Sequence, residues 1–268
     1  MSDLPQLKES ALLLEDRVAM LILQRDDVRN ALSGTELTDD LVTTLSWANT
    51  CPQVSVLIVT GEGGAFSAGG NVKTMGARSQ AAPHILQNSY KNTIQRIPRA
   101  FQAVEIPVIA AVNGPAIGAG FDLANMCDMR IGSTNAQFGE TFVNLGIIAG
   151  DGGAWFLQRL VGYQRAAELS FSGRIVKAEE ALALGILLEV TAPEQLLPRA
   201  REIAARIATK PPIAVRYAKQ LLRRGQQQPL SEHLDLCSSF QALCHKTEDH
   251  AEALTAFREK RRGKFKGQ

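Results

Sequence analysis

Apolar and polar residues alternate in short blocks through the first two thirds of the chain, and these blocks predict strands separated by helices. Two apolar runs flank a polar turn at 15–17, which is typical of a β-hairpin. Because strands and helices then alternate along the sequence, parallel β-α units are expected. The predicted strands are 12–14, 18–24, 54–60, 106–112 and one that begins with 129–131.

Helical spacing of apolar residues dominates the sequence after Tyr163. Earlier in the chain, Ser33 and Glu36 have the spacing of a capping box, which places Ser33 at the start of a helix that runs through about Asn49. Pro98 is expected to interrupt a helix over 86–104. The other predicted helices are 118–127, 177–184, 193–209, 213–224 and 230–257.

Composition and charge narrow the classes of function. The chain has 268 residues, of which 45% are apolar and 21% are charged, so it can bury a full core. Its 29 basic and 27 acidic residues are mixed, and a net charge of +2 gives no global field for nucleic acid or a membrane. The basic run 258–266 fits either a solvated helix end or an anion contact. With no long apolar run and no leader pattern at the N-terminus, a cytoplasmic protein is expected.

Several kinds of site lack their usual motifs. The four cysteines show no CxxC spacing, so reduced thiols and no metal site are expected. The glycines at 61–64 and 118–120 fail the dinucleotide pattern, because Phe66 and Leu123 occupy the third glycine position. The sequence also contains neither a phosphate-binding loop nor a serine-hydrolase elbow.

Two glycine-rich stretches, 65–71 and 113–122, each come soon after an apolar β-branched run. Small residues after a strand let the backbone approach a ligand and direct its N–H groups toward it. Two such groups from separate loops can stabilise one developing negative oxygen, so the sequence predicts an oxyanion hole. The alternative is that both stretches are only tight strand-to-helix turns.

Five segments of the chain form a combined pattern: 25–32, 66–73, 106–114, 118–128 and 136–139. Together they resemble the crotonase family, also called the enoyl-CoA hydratase/isomerase superfamily, over nearly the whole chain. The resemblance implies an α/β fold in which a spiral of β-β-α turns over residues 1–195 carries the acyl-CoA site. A helical C-terminal region over 196–268 would pack in trimers, commonly paired into hexamers. The resemblance also implies a coenzyme A thioester as substrate, with no permanently bound cofactor.

By position in these motifs, the resemblance makes the backbone N–H groups of Gly70 and Ala119 the two oxyanion donors. Ala119 replaces a glycine that is often found there, yet it keeps the N–H. It would also lie at the start of the helix 118–127, whose dipole favours a negative oxygen.

The acids of the predicted site depart from the family pattern. Asp122 takes the place of the first catalytic Glu, and the second Glu would align with Phe142, which cannot transfer a proton. Asp151 is a candidate acid or base, with a helix N-cap as its alternative role. Glu140 is interpreted as structural.

Coenzyme A contacts follow from the resemblance as well. Arg29 would meet phosphate, while the residues after Ser67 would border the adenine and the acyl pocket. A basic and aromatic tail would reach coenzyme A from a neighbouring subunit. The residues assigned to coenzyme A are Arg29, Ala68, Asn71, Val72, Lys264 and Phe265.

The leading hypothesis is hydration of a 2-enoyl-CoA to a 3-hydroxyacyl-CoA, with Asp122 and Asp151 as acid and base. Double-bond isomerisation is the alternative within the family, since a single carboxylate can shuttle its proton. A non-catalytic acyl-CoA-binding protein is the alternative outside it, because Phe142 replaces an acid.

Overall fold

A computed structural model describes residues 4–71 and 81–268 of the chain. In these two ranges, no helix combines the length and the apolar character needed to cross a membrane. The described strands are β1 (Ser10–Glu15), β2 (Val18–Leu23), β3 (Val56–Gly61), β4 (Val108–Val112), β5 (Pro115–Ile117), β6 (Met129–Ser133), β7 (Gln137–Gly139), β8 (Ile175–Lys177) and β9 (Glu189–Thr191).

The larger of two sheets has the strand order β1-β2-β3-β4-β6-β9. Its first pair is antiparallel, and all later neighbours are parallel. The turn between β1 and β2 places Asp16 and Arg17 at φ values of 47° and 69°, the conformation that suits a two-residue hairpin turn. The predicted hairpin and the predicted parallel units are therefore confirmed.

Strand β3 shows why these apolar runs form a sheet that is covered on both faces. Leu57 and Val59 belong to the main hydrophobic core, whereas Val56 and Ile58 belong to a second core on the opposite face. Successive side chains of a strand point to opposite faces, so a continuous apolar run satisfies both cores at once.

The second sheet has the order β5-β7-β8 and gives the fold its spiral character. Strands β4 and β6 of the large sheet are each followed by a strand of the small sheet, β5 and β7, before the next α-helix. Ser67 forms a parallel bridge with Ala116, so the segment after β3 lies beside β5 in the same way. This arrangement confirms the mixed α/β fold and brings the two glycine-rich stretches to neighbouring positions.

The helices agree with the predicted ones except at three places. The break in 86–104 falls at 93–95, and Pro98 lies in the first turn of the next helix, where its missing N–H costs little. The predicted helix 230–257 is two helices, because Thr247 ends one segment and caps the next by accepting from the His250 N–H. The described helices are α1 (Leu37–Thr50), α2 (Pro83–Asn92), α3 (Arg96–Ala103), α4 (Ala119–Met126), α5 (Gly153–Val161), α6 (Tyr163–Ser172), α7 (Ala178–Ala183), α8 (Leu196–Ala208), α9 (Pro212–Gly225), α10 (Leu230–His245) and α11 (Glu248–Arg258).

The third difference concerns Ser33, which caps no helix. Helix α1 begins at Leu37 with Glu36 at its N-cap position and without a side-chain cap. The Ser33 hydroxyl instead accepts a hydrogen bond of 2.7 Å from the Asn71 N–H, in the glycine-rich stretch after β3.

Helix α8 covers the second face of the large sheet. Leu196, Ala200 and Ala204 are buried in the second core, against Ile58 and Ile109 among others. The first helix of the C-terminal region is thus part of the packed core, and the division at 195/196 stays a prediction.

Candidate active site

The two glycine-rich stretches pack backbone against backbone. A Cβ atom on Gly69 would lie 2.4 Å from the Ile117 carbonyl oxygen, and one on Gly120 would lie 2.1 Å from the Ser67 carbonyl oxygen. Carbon and oxygen atoms cannot approach so closely without a shift of the backbone. Glycine at both positions therefore permits the contact between the loops.

Gly70 has the free N–H group of the first loop. The four surrounding N–H groups donate to the Pro115 carbonyl, the Arg29 carbonyl, the Ser67 hydroxyl and the Ser33 hydroxyl. Within the described ranges, no hydrogen-bond acceptor is found for the Gly70 N–H. It is thus left to bind a ligand or water.

Ala119 supplies a free N–H on the second loop, because it is the first residue of α4 and such donors have no partner inside the helix. Gly118 precedes it at φ 55° and ψ −124°, a conformation that L side chains rarely adopt. The Gly118 N–H donates to the Gly139 carbonyl at 2.8 Å, which fixes the start of α4 against β7.

Three acids meet beside these loops. Asp122 lies in the first turn of α4, Glu140 directly follows β7, and Asp151 precedes α5, and their exposed fractions are 0%, 3% and 4%. Among the described residues, no N–H or hydroxyl group donates to the carboxyl oxygens of Asp122 or Glu140. The carboxyl group of Asp122 lies within hydrogen-bonding reach of the other two carboxyl groups. A hydrogen bond between two carboxyl groups requires that one of them carry a proton.

Burial governs the ionisation of this cluster. Burial, followed by the charges of Asp151 and Glu140, raises the pKa of Asp122 well above its ordinary value. Burial and then the charge of Asp151 raise the pKa of Glu140 to about 8. Burial also raises the pKa of Asp151. Like charges in a dry site cannot all be present, so the cluster retains protons at neutral pH.

The position of Asp122 depends on Gly153 in the first turn of α5. A Cβ atom there would lie 2.1 Å from Asp122 Oδ1. Asp151 is not the N-cap of this helix, because Gly152 occupies that position and no side chain caps it. The capping role considered for Asp151 is therefore excluded.

Phe142 lies near the start of α4, beside Gly118. Its ring carbon Cζ is 3.6 Å from the position of a Gly118 Cβ atom. An aromatic ring thus stands at the position where the resemblance expects the carboxylate of a second Glu.

The residues assigned to coenzyme A fall into two groups. Arg29 is exposed, and its carbonyl accepts from the Ala68 N–H at 2.8 Å, so both lie beside Gly70 together with Asn71. Val72 lies outside the described residues. Their contacts with coenzyme A stay predictions.

Lys264 and Phe265 lie near the N-terminal end of strand β2. The Phe265 carbonyl accepts from Arg17 Nη1 at 2.7 Å, and Arg17 directly precedes β2, whereas Gly70 follows the C-terminal end of the parallel strand β3. The Lys264 N–H donates to Glu252 on α11. The structure does not bring this tail to the acids of the same chain.

Residues 14–268 match the sequence model of the Enoyl-CoA hydratase/isomerase family. The chain belongs to this family. It is 38% identical to a crotonyl-CoA hydratase of Syntrophomonas wolfei over 254 residues, which are 94% of this chain and 95% of the relative. It is 36% identical to a 2,3-dehydroadipyl-CoA hydratase of Escherichia coli, with 94% of this chain and 96% of the relative covered.

Solved structures of the family have the same fold. A crystal structure of an enoyl-CoA hydratase from Bacillus anthracis matches with a TM-score of 0.91 and 34% identity, covering 97% of this chain and all of the other. A putative enoyl-CoA hydratase from Streptomyces coelicolor also matches with a TM-score of 0.91 and 34% identity, covering 100% of this chain and 98% of the other. The protein is thus an enoyl-CoA hydratase-like enzyme of the hydratase/isomerase family.

For this family member, sequence reasoning placed Gly70, Ala119, Asp122 and Asp151 near one another, and the structure brings them together. It interpreted Glu140 as structural, and the structure places that residue in the acid cluster. No local motif marks Glu140, because the pairing of β7 with β5 brings it to the cluster. The roles of all these residues stay predictions.

Proposed function

We propose that this protein hydrates a 2-enoyl-CoA to a 3-hydroxyacyl-CoA. The carrying observation is the pair of free N–H groups, on Gly70 and Ala119, beside a buried cluster of acids. The relatives named as crotonyl-CoA, short-chain-enoyl-CoA and 2,3-dehydroadipyl-CoA hydratases support this reaction.

The first step places the thioester carbonyl oxygen between the N–H groups of Gly70 and Ala119. Addition of water to the β-carbon turns this oxygen into an enolate, so both hydrogen bonds strengthen as charge develops. The N-terminal dipole of α4 acts on the same oxygen. The donors are fixed before the substrate arrives, because backbone contacts between the two loops hold them.

The acid cluster supplies the proton transfers. Asp122 is three residues after Ala119 on α4, so it lies on the face of the helix where the thioester would bind. Because burial and its acidic neighbours keep Asp122 protonated, it donates the proton that the α-carbon gains. Asp151 takes a proton from the attacking water, and Glu140 shares the remaining proton of the cluster.

Binding of coenzyme A involves both groups of assigned residues. Arg29 meets phosphate, while Ala68, Asn71 and Val72 border the nucleotide and the start of the acyl chain. Lys264 and Phe265 lie far from the acids of their own chain, and they therefore serve a neighbouring subunit in a trimer or a hexamer. The coenzyme is part of the substrate and is released with the product.

Isomerisation is the second candidate, and Phe142 favours it. An aromatic ring replaces one of the two carboxylates expected of a hydratase, whereas moving a double bond requires one carboxyl group that transfers a proton between two carbons. The two reactions differ in the absorbance of the conjugated thioester. Hydration of a 2-enoyl-CoA removes the absorbance, and isomerisation of a 3-enoyl-CoA creates it.

The experiment follows this ultraviolet absorbance with crotonyl-CoA. Wild type should remove it, and Asp122→Asn should lower kcat by at least about 100-fold, the typical contribution of a general acid. Glu179→Gln, an exposed acid on α7, is the matched control and should keep full activity. Equal activity of Asp122→Asn and wild type would refute the proposed acid, and no change with any 2-enoyl-CoA would refute hydration.

A further inference from the structure

A cavity of about 750 Å³ lies between helices α2 and α3 and the loop 146–152, and Asp151 is among its lining residues. This volume is in the range of sites that bind small molecules. Gln95 Nε2 donates to the Gly150 carbonyl at 2.8 Å. The Tyr90 ring is 2.6 Å from the position of a Gly150 Cβ atom. These two contacts join the loop to the helices and give the cavity fixed walls.

The two sides of this cavity differ in character. Ile147, Ile148 and Ala149 provide apolar surface next to Asp151. The helices on the other side contribute polar or cationic side chains. The polar and cationic lining residues of these helices and of the turn between them are Gln87, Tyr90, Lys91, Gln95 and Arg99.

Lys91 and Arg99 are the charged groups of the helical wall. Both are exposed, and in the described ranges neither forms an ion pair. Arg99 Nη1 donates to the Lys91 carbonyl at 3.3 Å, which brings the two residues together. Arg96, on the same helix as Arg99, is instead paired with Asp39. The cavity thus has two cations without an acidic partner.

We propose that this cavity binds the far end of the acyl group, and that Lys91 and Arg99 select acyl chains that end in a carboxylate. This inference rests on the proposed function, which places the reacting carbons beside Asp151. Methylene groups would then pass along the apolar loop, and the terminal carboxylate would meet the two cations. A terminal methyl group would leave these cations without a partner, so the site discriminates by charge.

The test compares ligands of equal length with and without the terminal carboxylate. Saturated hexanedioyl-CoA and hexanoyl-CoA measure binding by calorimetry without any reaction, and hex-2-enedioyl-CoA and hex-2-enoyl-CoA measure hydration. Wild type should prefer the carboxylate on the order of tenfold in Kd and in kcat/KM, as expected of two partly exposed charge pairs. The preference should shrink as salt rises from about 0.05 M to about 0.5 M.

The double variant Lys91→Met/Arg99→Met should abolish the preference and keep crotonyl-CoA hydration. Arg224→Met/Lys246→Met removes the same charge from exposed positions elsewhere and is the matched control, which should keep the preference. Equal Kd values of hexanedioyl-CoA and hexanoyl-CoA in wild type, or a preference that survives in Lys91→Met/Arg99→Met, would overturn the inference. Failure to hydrate any of the 2-enoyl-CoA substrates, hex-2-enedioyl-CoA included, would instead refute the proposed function, while the calorimetric comparison would still decide this one.

Discussion

Asp122 has room for its carboxyl group because residue 153 has no side chain. We predict that Gly153→Ala lowers kcat for crotonyl-CoA by more than about tenfold, since general acid catalysis is sensitive to the position of the proton donor. The reason is the added Cβ atom, which would lie 2.1 Å from Asp122 Oδ1. Steady-state kinetics measure the effect.

Gly64→Ala provides the control for this variant. A Cβ atom on Gly64 meets nothing within 4 Å, so the same chemical change should leave kcat unchanged. Thermal unfolding of both variants separates loss of the acid's position from loss of the fold. Equal kcat values for the two variants would contradict the role given to Gly153.

Glu140 makes the stability of the protein depend on pH in a defined direction. Its pKa is about 8 in the folded chain against an ordinary value of 4.5. Between these values the native state keeps a proton that the unfolded state has released, so the free energy of unfolding falls as pH rises. Above about pH 8 this loss is complete.

We predict that Glu140→Gln removes this dependence. Urea unfolding at a series of pH values should show wild type losing stability relative to the variant from about pH 5 to pH 8, by at most roughly 1.4 kcal/mol per pH unit. Glu140→Gln also removes a charge that raises the pKa of Asp122, so the difference between the two curves reports Glu140 together with its coupling to Asp122. Parallel curves would show that Glu140 ionises normally in the fold.

Motifs identified the site residues that lie in glycine-rich turns, and they did not identify the residue brought in by sheet pairing. Gly70, Ala119 and Asp122 follow two such turns, whose geometry is encoded locally. Glu140 joins them because β7 pairs with β5, and the Gly118 N–H bonds to the Gly139 carbonyl. A pairing between separate segments leaves no local pattern at Glu140 itself.

At the level of elements, contact between the two glycine loops positions the oxyanion donors. We predict that Gly69→Ala lowers both thermal stability and activity, because its Cβ atom would lie 2.4 Å from the Ile117 carbonyl oxygen. Gly69 also has a φ of 73°, which is unfavourable for alanine. Calorimetry and crotonyl-CoA kinetics measure the two effects.

Gly34→Ala separates the two causes. Gly34 has a similar φ of 80°, and a Cβ atom there meets nothing within 4 Å. Its replacement should cost about 1 kcal/mol of stability through the backbone alone and should spare activity. If Gly34→Ala and Gly69→Ala lost activity equally, contact between the loops would not be what positions the donors.

Five strands of the large sheet were predicted, and β2, β3 and β4 among them are apolar runs that fill both cores. Strands β5, β7, β8 and β9, of three residues each, were not predicted, and helix ends depended on weaker signals. Pro98 predicts a break in the helix, although it lies in the first turn of α3, where proline is tolerated. The break before α11 did have a signal, since Thr247 is followed by Glu248 and Asp249, a common start of a helix. The apolar periodicity continues across 230–257, so it predicts a single helix there.

On the scale of the whole molecule, the C-terminal tail carries residues predicted to bind coenzyme A at a distance from the acids of the same chain. Lys264 and Phe265 lie near Arg17, at the end of the strands opposite to the one that Gly70 follows, and we propose that they serve another subunit's site. We predict that Lys264→Ala/Phe265→Ala raises KM for crotonyl-CoA several-fold and leaves kcat unchanged, since contacts remote from the reacting atoms bind substrate and transition state alike.

Lys266→Ala is the control, because Lys266 is an exposed neighbour whose backbone N–H, and not its side chain, bonds to Asp249. It should keep the wild-type KM. Light scattering should give a particle of three or six times the 29.0 kDa chain for all variants. An unchanged KM in Lys264→Ala/Phe265→Ala, or a monomer with full activity, would contradict a shared site.

Strand β3 has a further consequence, which concerns its length. Its successive side chains enter the two cores in turn. A few residues after the strand ends, Ser67 forms a bridge with Ala116. Inserting one residue into β3 would exchange the faces of every side chain that follows. Inserting two would restore the faces but displace Ser67 and Gly70 by about 7 Å along the strand direction. The strand thus works as a spacer, and its number of residues determines whether the two oxyanion donors can face one atom.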